Sequence, residues 1–162
     1  MESAPLYVRE ASGAFVPANY TAVISAAKVL LKNRLRRGAV LASPALVRDF
    51  LAVTLGGRDC EYFCLLLLDG RNRFLRFVEL FRGTINGASV HPREVVKLVL
   101  ESEASSVLLV HNHPSEIGEP SAADELITRR IKDSLAVIDV KVLDHLIVAG
   151  ADTFSFAEAG LI

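Results

Sequence analysis

An uninterrupted run of apolar residues, Tyr62 to Leu68, ends at the turn pair Asp69-Gly70 and limits the architectures open to the chain. A second, partly apolar segment, Phe74 to Phe81, follows the turn. Two such segments around an Asp-Gly pair predict a β-hairpin, and the lack of polar alternation in the first predicts a strand covered on both faces. The run is far shorter than the roughly 18 apolar residues of a membrane span.

The composition predicts one compact domain. The chain has 162 residues, of which 51% are hydrophobic and 23% charged, which excludes a disordered chain. The start, Met1 to Ser3, lacks the basic residues of a leader peptide, so we expect an unprocessed cytoplasmic protein. Two cysteines, Cys60 and Cys64, are too few for a disulfide framework or an all-cysteine zinc site and are interpreted as buried thiols.

Hydrophobic periodicity predicts helices that alternate with short strands. The predicted helices are 20–35, closed by Gly38; a helix from Pro44, capped by Ser43, to Gly56-Gly57; Pro92–Leu100; and a helix beginning at Ser121. The further predicted strands are Ser106–Val110, Val140–Leu143, His145–Ala149 and Thr153–Phe156. This order predicts an α/β (α+β) fold, a mixed sheet flanked by helices with an N-terminal helical segment. The sequence has no glycine-rich phosphate loop, so no motif indicates nucleotide binding.

A local excess of positive charge lies between Ala11 and Val47, where the chain has no acidic residue; the cations are Lys28, Lys32, Arg34, Arg36 and Arg37. The formal net charge of the whole chain is −1, which excludes a polycationic surface over the entire protein. The segment is interpreted first as cations that complement the dipole at a helix C-terminus. The alternative is a phosphate-binding face in weak contact with DNA. Residues 1–42 are predicted as an N-terminal extension and residues 43–162 as the domain.

The segment from His111 to Asp124 is the most informative about function. Residues two apart at the end of a strand face the same way, so His111 and His113 can present their imidazoles to one point. Asp124 falls in the first turn of the next helix, where its carboxylate can complete a metal site. Three ligands leave a fourth position for water, as in catalytic zinc sites. The other histidines, His91 and His145, are assigned structural roles.

A metal-activated water also needs a proton acceptor, which a carboxylate beside the ligands commonly supplies. Glu61, which opens the apolar strand, and Glu79, within the second strand, are the candidates. Ser121 is predicted as the helix N-cap or as a hydroxyl donor to the oxyanion of a tetrahedral intermediate. Only a weak contact to a metal ligand is expected from the pair Asp144-His145.

The pattern His-x-His-Pro, six residues, Ser-x-x-Asp resembles the signature of the JAMM metalloproteases, also called MPN+ or JAB proteins. The surrounding chain is similar, more narrowly, to the RadC-type branch. The resemblance covers about Ser43 to Ile162, and the segment Thr153 to Glu158 is similar to the ending of short RadC-like proteins. The other supporting segments are Glu61–Asp69, Arg82–Asn86, Val90–Glu94, His111–Ser115, Pro120-Ser121 and Leu143–His145.

The resemblance implies a cytidine-deaminase-like sandwich and a zinc ion bound by His111, His113 and Asp124, with water as the fourth ligand. It also implies Glu61 as the general base, because JAMM enzymes have a glutamate at the start of an early strand. The implied reaction is hydrolysis of peptide or isopeptide bonds in an unidentified protein or peptide substrate. The alternative, from the DNA-repair label of the RadC branch, is a DNA-binding repair or mobile-element accessory protein with a structural zinc. The intact ligand set disfavours a non-catalytic scaffold.

Two residues depart from the family pattern. Glu116 stands where a glycine usually follows His-Asn-His-Pro-Ser, which adds charge and stiffness beside the site. Val78 stands where a glutamate is often found. Glu79 cannot replace that glutamate, because neighbouring residues of a strand face opposite ways. The departure at Val78 therefore favours Glu61 over Glu79.

Overall fold

A five-stranded mixed sheet with helices packed on it forms the body of the protein. The computed structural model describes residues 5–41, 43–83 and 90–162. In chain order the elements are β1 (Tyr7–Arg9), β2 (Phe15–Pro17), α1 (Tyr20–Arg34), α2 (Pro44–Leu55), β3 (Tyr62–Leu68), β4 (Phe74–Arg82), α3 (Pro92–Glu101), β5 (Ser106–Asn112), α4 (Ala122–Ala136), β6 (Lys141–Ala149) and β7 (Asp152–Ser155). The predicted α/β architecture with a mixed sheet is confirmed.

Some sequence expectations concern residues outside these ranges. The chain start Met1 to Ser3, the end of the predicted extension at residue 42, and Thr84 to Asn86 of one supporting segment lie outside the described residues. Within the described ranges, no helix is both long enough and apolar enough to cross a membrane.

The strand order brings distant segments to one end of the sheet. The order is β4-β3-β5-β6-β7, with β3 antiparallel to β4 and β5, β5 parallel to β6, and β6 antiparallel to β7. The predicted hairpin is therefore the pair β3–β4. A parallel pair requires a crossover, which α4 supplies between β5 and β6. The start of α4 consequently follows the carboxyl end of β5.

Two core layers, one on each face of the sheet, explain the continuous apolar run of β3. Even-numbered positions from Cys64 to Leu68 pack in a layer with α2. Odd-numbered positions from Phe63 to Leu67 pack in a layer with α3 and α4. Because successive side chains of a strand face opposite ways, a strand covered on both faces has no solvent-facing position. Burial raises the pKa of the Cys64 thiol far above its usual range, whereas Cys60 is only half-buried.

Side-chain hydrogen bonds hold the β3–β4 turn. Asp69 Oδ1 accepts from the backbone N–H groups of Arg71 and Arg73, each at 2.9 Å, and Asp69 Oδ2 accepts from Arg73 Nε at 2.7 Å. These bonds, led by that from the Arg73 side chain, lower the pKa of Asp69 to about 2. Asn72 has a φ of +54°, whereas Gly70 is not left-handed. The predicted turn thus depends on Asp69 and Asn72 more than on its glycine.

The strand prediction near the C-terminus needs one correction. The two strands expected at Val140–Leu143 and His145–Ala149 are a single strand, β6. A one-residue bulge in the pairing with β5 lies at this point. The Asp144 carboxylate accepts hydrogen bonds from the N–H of Ala157 at 2.9 Å and the O–H of Ser155 at 2.6 Å. The polar residue is therefore accommodated inside the strand and does not end it.

The N-terminal segment also differs from the expectation. The hairpin β1–β2 is missed by the sequence pattern, because strands of three residues carry too little periodicity. Helix α1 ends at Arg34, with Leu35 as its C-cap. The predicted cap, Gly38, lies in the following turn with a φ of +85° and donates its N–H to Phe74 O at 2.8 Å.

Leu35 anchors this segment to the core. No residue of α1 is buried, but Leu35, which directly follows it, is 3% exposed and packs in the layer with α2. Leu35 precedes the predicted domain start at residue 43, so the layer around α2 draws on the chain before that boundary.

We expect Leu35→Ala to lower the free energy of unfolding by about 2–5 kcal/mol, because it leaves a cavity in a packed layer. The matched variant Leu30→Ala, at a position that is 66% exposed, should change it by less than about 0.5 kcal/mol. Urea unfolding followed by circular dichroism measures both. Equal midpoints for the two variants would show that Leu35 is not part of the cooperative core.

Candidate metal centre

Three potential ligands converge at the carboxyl end of β5: His111 near the end of the strand, His113 just beyond it and Asp124 in the first turn of α4. The two Nε2 atoms are 2.9 Å apart. Asp124 Oδ1 is 3.3 Å from His111 Nε2, and Asp124 Oδ2 is 3.7 Å from His113 Nε2. These are the three side chains that the spacing of the sequence predicted as a metal site.

Strand geometry aligns the two histidines. His113 N–H donates to Val148 O at 2.9 Å, which continues the pairing with β6 beyond the end of β5. His111 and His113 therefore keep the alternation of a strand and face the same side. The chain then turns, with Glu116 N–H donating to His113 O at 3.0 Å.

Glu116 occupies a backbone position that suits glycine. Its φ of +58° lies in the left-handed region, which costs a residue with a Cβ roughly 1 kcal/mol. This geometry explains why a glycine is usual there in the family pattern. The Glu116 side chain lies beside Gly150 and lines a different cleft from the one that contains the histidines. Its charge is thus directed away from the candidate ligands.

Ser121 holds Asp124 in place through a reciprocal cap at the start of α4. Asp124 Oδ2 accepts from Ser121 N–H at 2.8 Å and from Ser121 Oγ–H at 2.6 Å. Ser121 Oγ in turn accepts from Asp124 N–H at 3.2 Å. The helix-cap role predicted for Ser121 is observed, and its hydroxyl proton is directed at the Asp124 carboxylate.

The electrostatics of the cluster favour a bound cation. Burial opposes the charged form of Asp124, but His113, His111 and the Ser121 hydrogen bonds outweigh it and hold the pKa of Asp124 well below its usual range. The Asp124 carboxylate in turn raises the pKa of His113. Burial lowers the pKa of His111 to about 4, so this imidazole is neutral at neutral pH. A carboxylate and two imidazole nitrogens thus face one point.

The donor set fits a tetrahedral zinc-type site. Zinc–nitrogen and zinc–oxygen bonds of about 2.0–2.1 Å place neighbouring tetrahedral ligands about 3.3 Å apart. His111 Nε2 lies 2.9 Å from His113 Nε2 and 3.3 Å from Asp124 Oδ1, and both separations are near that value. His113 Nδ1–H donates to Ile117 O at 2.6 Å, which leaves His113 Nε2 free to act as a ligand. Within the described ranges no fourth histidine, cysteine or carboxylate joins the set.

An open cleft of about 560 Å³ surrounds the three ligands. Its lining includes both predicted catalytic residues, Glu61 and Ser121, together with Phe63, Val90, Ile127 and Arg130. Glu61 is half-buried and directly precedes β3. Its carboxylate contributes to raising the pKa of His113, which locates its charge near the ligands.

Asn112 fixes the backbone around Glu61, and sequence reasoning gave it no role. Its Oδ1 accepts from Tyr62 N–H at 2.8 Å, and its Nδ2–H donates to Cys60 O at 3.1 Å. The amide thereby continues the pairing between β3 and β5 on both sides of Glu61. The signal in the sequence that indicates a role for Asn112 is its position as a polar residue at the strand end, between two candidate ligands.

Glu79 lies on the other face of the sheet. It is paired across the hairpin with Cys64, whose side chain belongs to the layer around α2. Its carboxylate forms a 2.7 Å ion pair with Arg58. Val78, the neighbour that faces the other way, packs against the layer of α3 and α4. The alternative carboxylate of the sequence prediction is therefore not among the residues that line the cleft of the histidines.

His145 contacts a candidate ligand directly, although the sequence suggested only a weak contact. Its Nε2 lies 2.8 Å from His111 Nδ1, and its ring is fully buried between Phe63 and Phe156. Burial holds the pKa of His145 well below its usual range. His91, in contrast, precedes α3 and contacts the Phe81 ring at 6.0 Å between centroids.

Comparison with known proteins gives one family. The model of the RadC-like JAB domain matches residues 41–161. A UPF0758 protein of Shewanella piezotolerans is 52% identical over 145 residues, which are 90% of this chain and 64% of the relative. A UPF0758 protein of Shewanella amazonensis is 54% identical over 136 residues, which are 84% of this chain and 60% of the relative. The chain thus spans a little under two thirds of the length of these relatives.

We expect the purified protein to bind one divalent transition-metal ion per chain, because a single ligand set is found in the described residues. His113→Ala and Asp124→Ala should each lose the ion, since each removes a ligand atom. Ser121→Ala should keep it and lose about 1 kcal/mol of stability with the helix cap. Elemental analysis after dialysis measures the metal content. Equal metal in wild type and His113→Ala would refute the site.

Proposed function

The chain belongs to the RadC-like JAB domain family, and from this membership and the geometry of the cleft we propose that it is a zinc-dependent hydrolase of peptide or isopeptide bonds. The observation that carries the proposal is the convergence of two imidazole Nε2 atoms and one carboxylate in an open cleft lined by Glu61. Three protein ligands with an open position are the arrangement of catalytic zinc sites.

The ligand set suits hydrolysis of an amide. A zinc ion held by His111, His113 and Asp124 would supply Lewis-acid chemistry, polarising a substrate carbonyl and lowering the pKa of a water to about 7. Ser121 orients Asp124 through the two hydrogen bonds to Oδ2. His113 is oriented by its bond to Ile117 O. The chain's own contribution is therefore a rigid, partly buried donor set that faces the cleft.

Glu61 acts as the general base in this proposal. Its carboxylate would take a proton from the attacking water and return it to the leaving amine, so one residue serves as base and then acid. Three contacts of its backbone and its neighbours support this role: Asn112 holds Cys60 O and Tyr62 N–H, and Gly83 N–H donates to Glu61 O at 2.8 Å. A base in a fixed position loses little freedom when the substrate binds.

Ser121 remains the candidate oxyanion donor, since its side chain lines the same cleft. Its O–H donates to Asp124 Oδ2 at 2.6 Å, so an oxyanion contact requires the hydroxyl to turn while the backbone N–H keeps its bond to Asp124. The bond from the Ser121 N–H would then be the only hydrogen bond from Ser121 to the Asp124 carboxylate.

We expect Glu61→Gln to keep metal content and thermal stability near wild type, because the change preserves size and spares the ligands. Hydrolysis of a peptide or isopeptide substrate should fall about 10²–10⁴-fold, the usual contribution of a positioned acid–base group. The control Glu79→Gln should leave the rate nearly unchanged, because Glu79 is paired with Arg58 outside the cleft lining. If Glu79→Gln alone lost activity, Glu79 and not Glu61 would be the general base.

A second candidate function is DNA binding by an accessory protein of repair or of mobile elements. The five cations of the N-terminal segment are all exposed, and none forms an ion pair with a carboxylate of the described residues; they are Lys28, Lys32, Arg34, Arg36 and Arg37. Complementing the helix dipole accounts for Lys32 and Arg34, which lie in the last turn of α1. It does not account for Arg36 and Arg37, which follow the helix end.

If these cations bind phosphate, duplex DNA affinity should fall steeply with salt, with a slope of about −0.9 per phosphate contacted. The double variant Arg36→Ala/Arg37→Ala should weaken binding and flatten that slope. The control Arg71→Ala/Arg129→Ala removes the same charge elsewhere and should have little effect. Fluorescence anisotropy at several salt concentrations measures both, and no binding by wild type at low salt would eliminate this function.

A further inference from the structure

A buried chain of hydrogen bonds lies behind His111 and leads back to α4. His111 Nδ1 is 2.8 Å from His145 Nε2, and His145 Nδ1 is 2.6 Å from Thr128 Oγ1. Thr128 Oγ1–H donates to the backbone carbonyl of Asp124 at 2.5 Å. Thr128 and His145 are 1% and 0% exposed, respectively, and His111 is 5% exposed. Water is thus excluded as an alternative partner for these groups.

The last link of the chain fixes the direction of the others. A backbone carbonyl can only accept, so the single proton of the Thr128 hydroxyl points to Asp124 O. Thr128 Oγ1 must then accept from His145, which places the His145 proton on Nδ1 and leaves Nε2 as an acceptor. His145 Nε2 therefore accepts from His111 Nδ1–H. The lone pair of His111 is left on Nε2, the atom that faces His113 and Asp124.

The direction holds because His145 is neutral. Its ring lies between Phe63 and Phe156, with ring centroids 5.6 and 4.7 Å away. Both ring nitrogens contact neutral groups, Thr128 and His111. A positive charge in such surroundings is costly, since no carboxylate of the described residues hydrogen-bonds to the ring. A neutral imidazole carries one proton, and Thr128 determines which nitrogen holds it.

We propose that Thr128 and His145 are positioning residues that fix the tautomer of His111 and so present its Nε2 lone pair to a metal ion. This inference rests on the proposed metal site. His113 achieves the same result in one step, through Nδ1–H donation to Ile117 O. His111 reaches a backbone acceptor, Asp124 O, only through the side chains of His145 and Thr128. The two ligand histidines are thus locked in the same tautomer by different means.

The tautomer can be read without metal or substrate. In metal-free protein labelled with ¹⁵N-histidine, two-bond ¹H–¹⁵N spectra should show His111 and His145 protonated on Nδ1 and unprotonated on Nε2. Thr128→Ser keeps the hydroxyl and should preserve both tautomers. Thr128→Val has nearly the same shape but no acceptor for His145 Nδ1–H, so a second tautomer should become populated at both rings.

Metal affinity provides the second readout. Competition for Zn²⁺ with a chromophoric chelator should show about 10–100-fold weaker binding in Thr128→Val, the usual effect of losing a partner that orients a ligand histidine. Thr128→Ser should stay within about threefold of wild type. The matched control is Thr54→Val, because Thr54 makes the same kind of bond, Oγ1 to Phe50 O at 2.5 Å, on α2 away from the site. It should change neither tautomers nor affinity.

Two results would overturn the inference. One is a wild-type His111 protonated on Nε2 in the metal-free protein, which needs no variant and therefore does not depend on whether Thr128→Val folds. The other is a folded Thr128→Val with wild-type tautomers and wild-type zinc affinity. Failure of wild type to bind Zn²⁺ would count against the proposed function instead. The spectra of the metal-free protein would still show whether Thr128 and His145 fix the tautomer of His111.

Discussion

The register of β3 against β5 determines both the core and the candidate site. The pairing runs from Phe63 opposite His111 to Leu68 opposite Ser106. Side chains alternate along a strand, so a slip of one residue would exchange the two apolar layers and turn His111 towards α2. The same slip would separate Glu61 from the ligands. The hydrophobic pattern that holds the sheet together therefore also sets the geometry of the polar cluster at its end.

Hydrogen bonds hold the buried polar residues at this end of the sheet. His111, Asn112, Thr128 and His145 are all buried, and each has a hydrogen-bond partner from another element or loop. An unpartnered polar group in such a place costs about 1–3 kcal/mol, so removing one member leaves another unsatisfied. Disorder at these residues is therefore costly, and the hydrogen bond that orients His111 comes from the fold itself.

Local patterns predicted the parts of the structure that depend on neighbours in sequence. The strand Tyr62–Leu68 was predicted at both ends, because an apolar run and a turn signal specify it without other information. The spacing of His111 and His113 likewise predicted side chains that share a face. The continuity of β6 was missed, since Asp144 is satisfied by Ser155 and Ala157, which its local sequence does not reveal.

Contacts between distant segments were the other part that local patterns missed. His145 follows His111 by 34 residues and Asn112 follows Cys60 by 52. Neither pair shares a motif, and each meets only because neighbouring strands pair in one register. The hydrogen bonds of Asn112 to Cys60 and Tyr62, and the contact of His145 with His111, therefore follow from the pairing of the strands. The sequence could supply the residue types but not their partners.

Asp124 shows how one short side chain links the helix to the ligand set. A capping box commonly has a longer glutamate or glutamine at the third helical position, which reaches back to the N-cap. In α4 this position is Asp124, whose Oδ2 receives both hydrogen bonds from Ser121 while Oδ1 lies 3.3 Å from His111 Nε2. Division of the two oxygens lets one carboxylate stabilise the helix start and complete the donor set. The N-terminus of α4 also favours the negative charge that a bound cation needs. The start of α4 and the donor set thus depend on the same carboxylate.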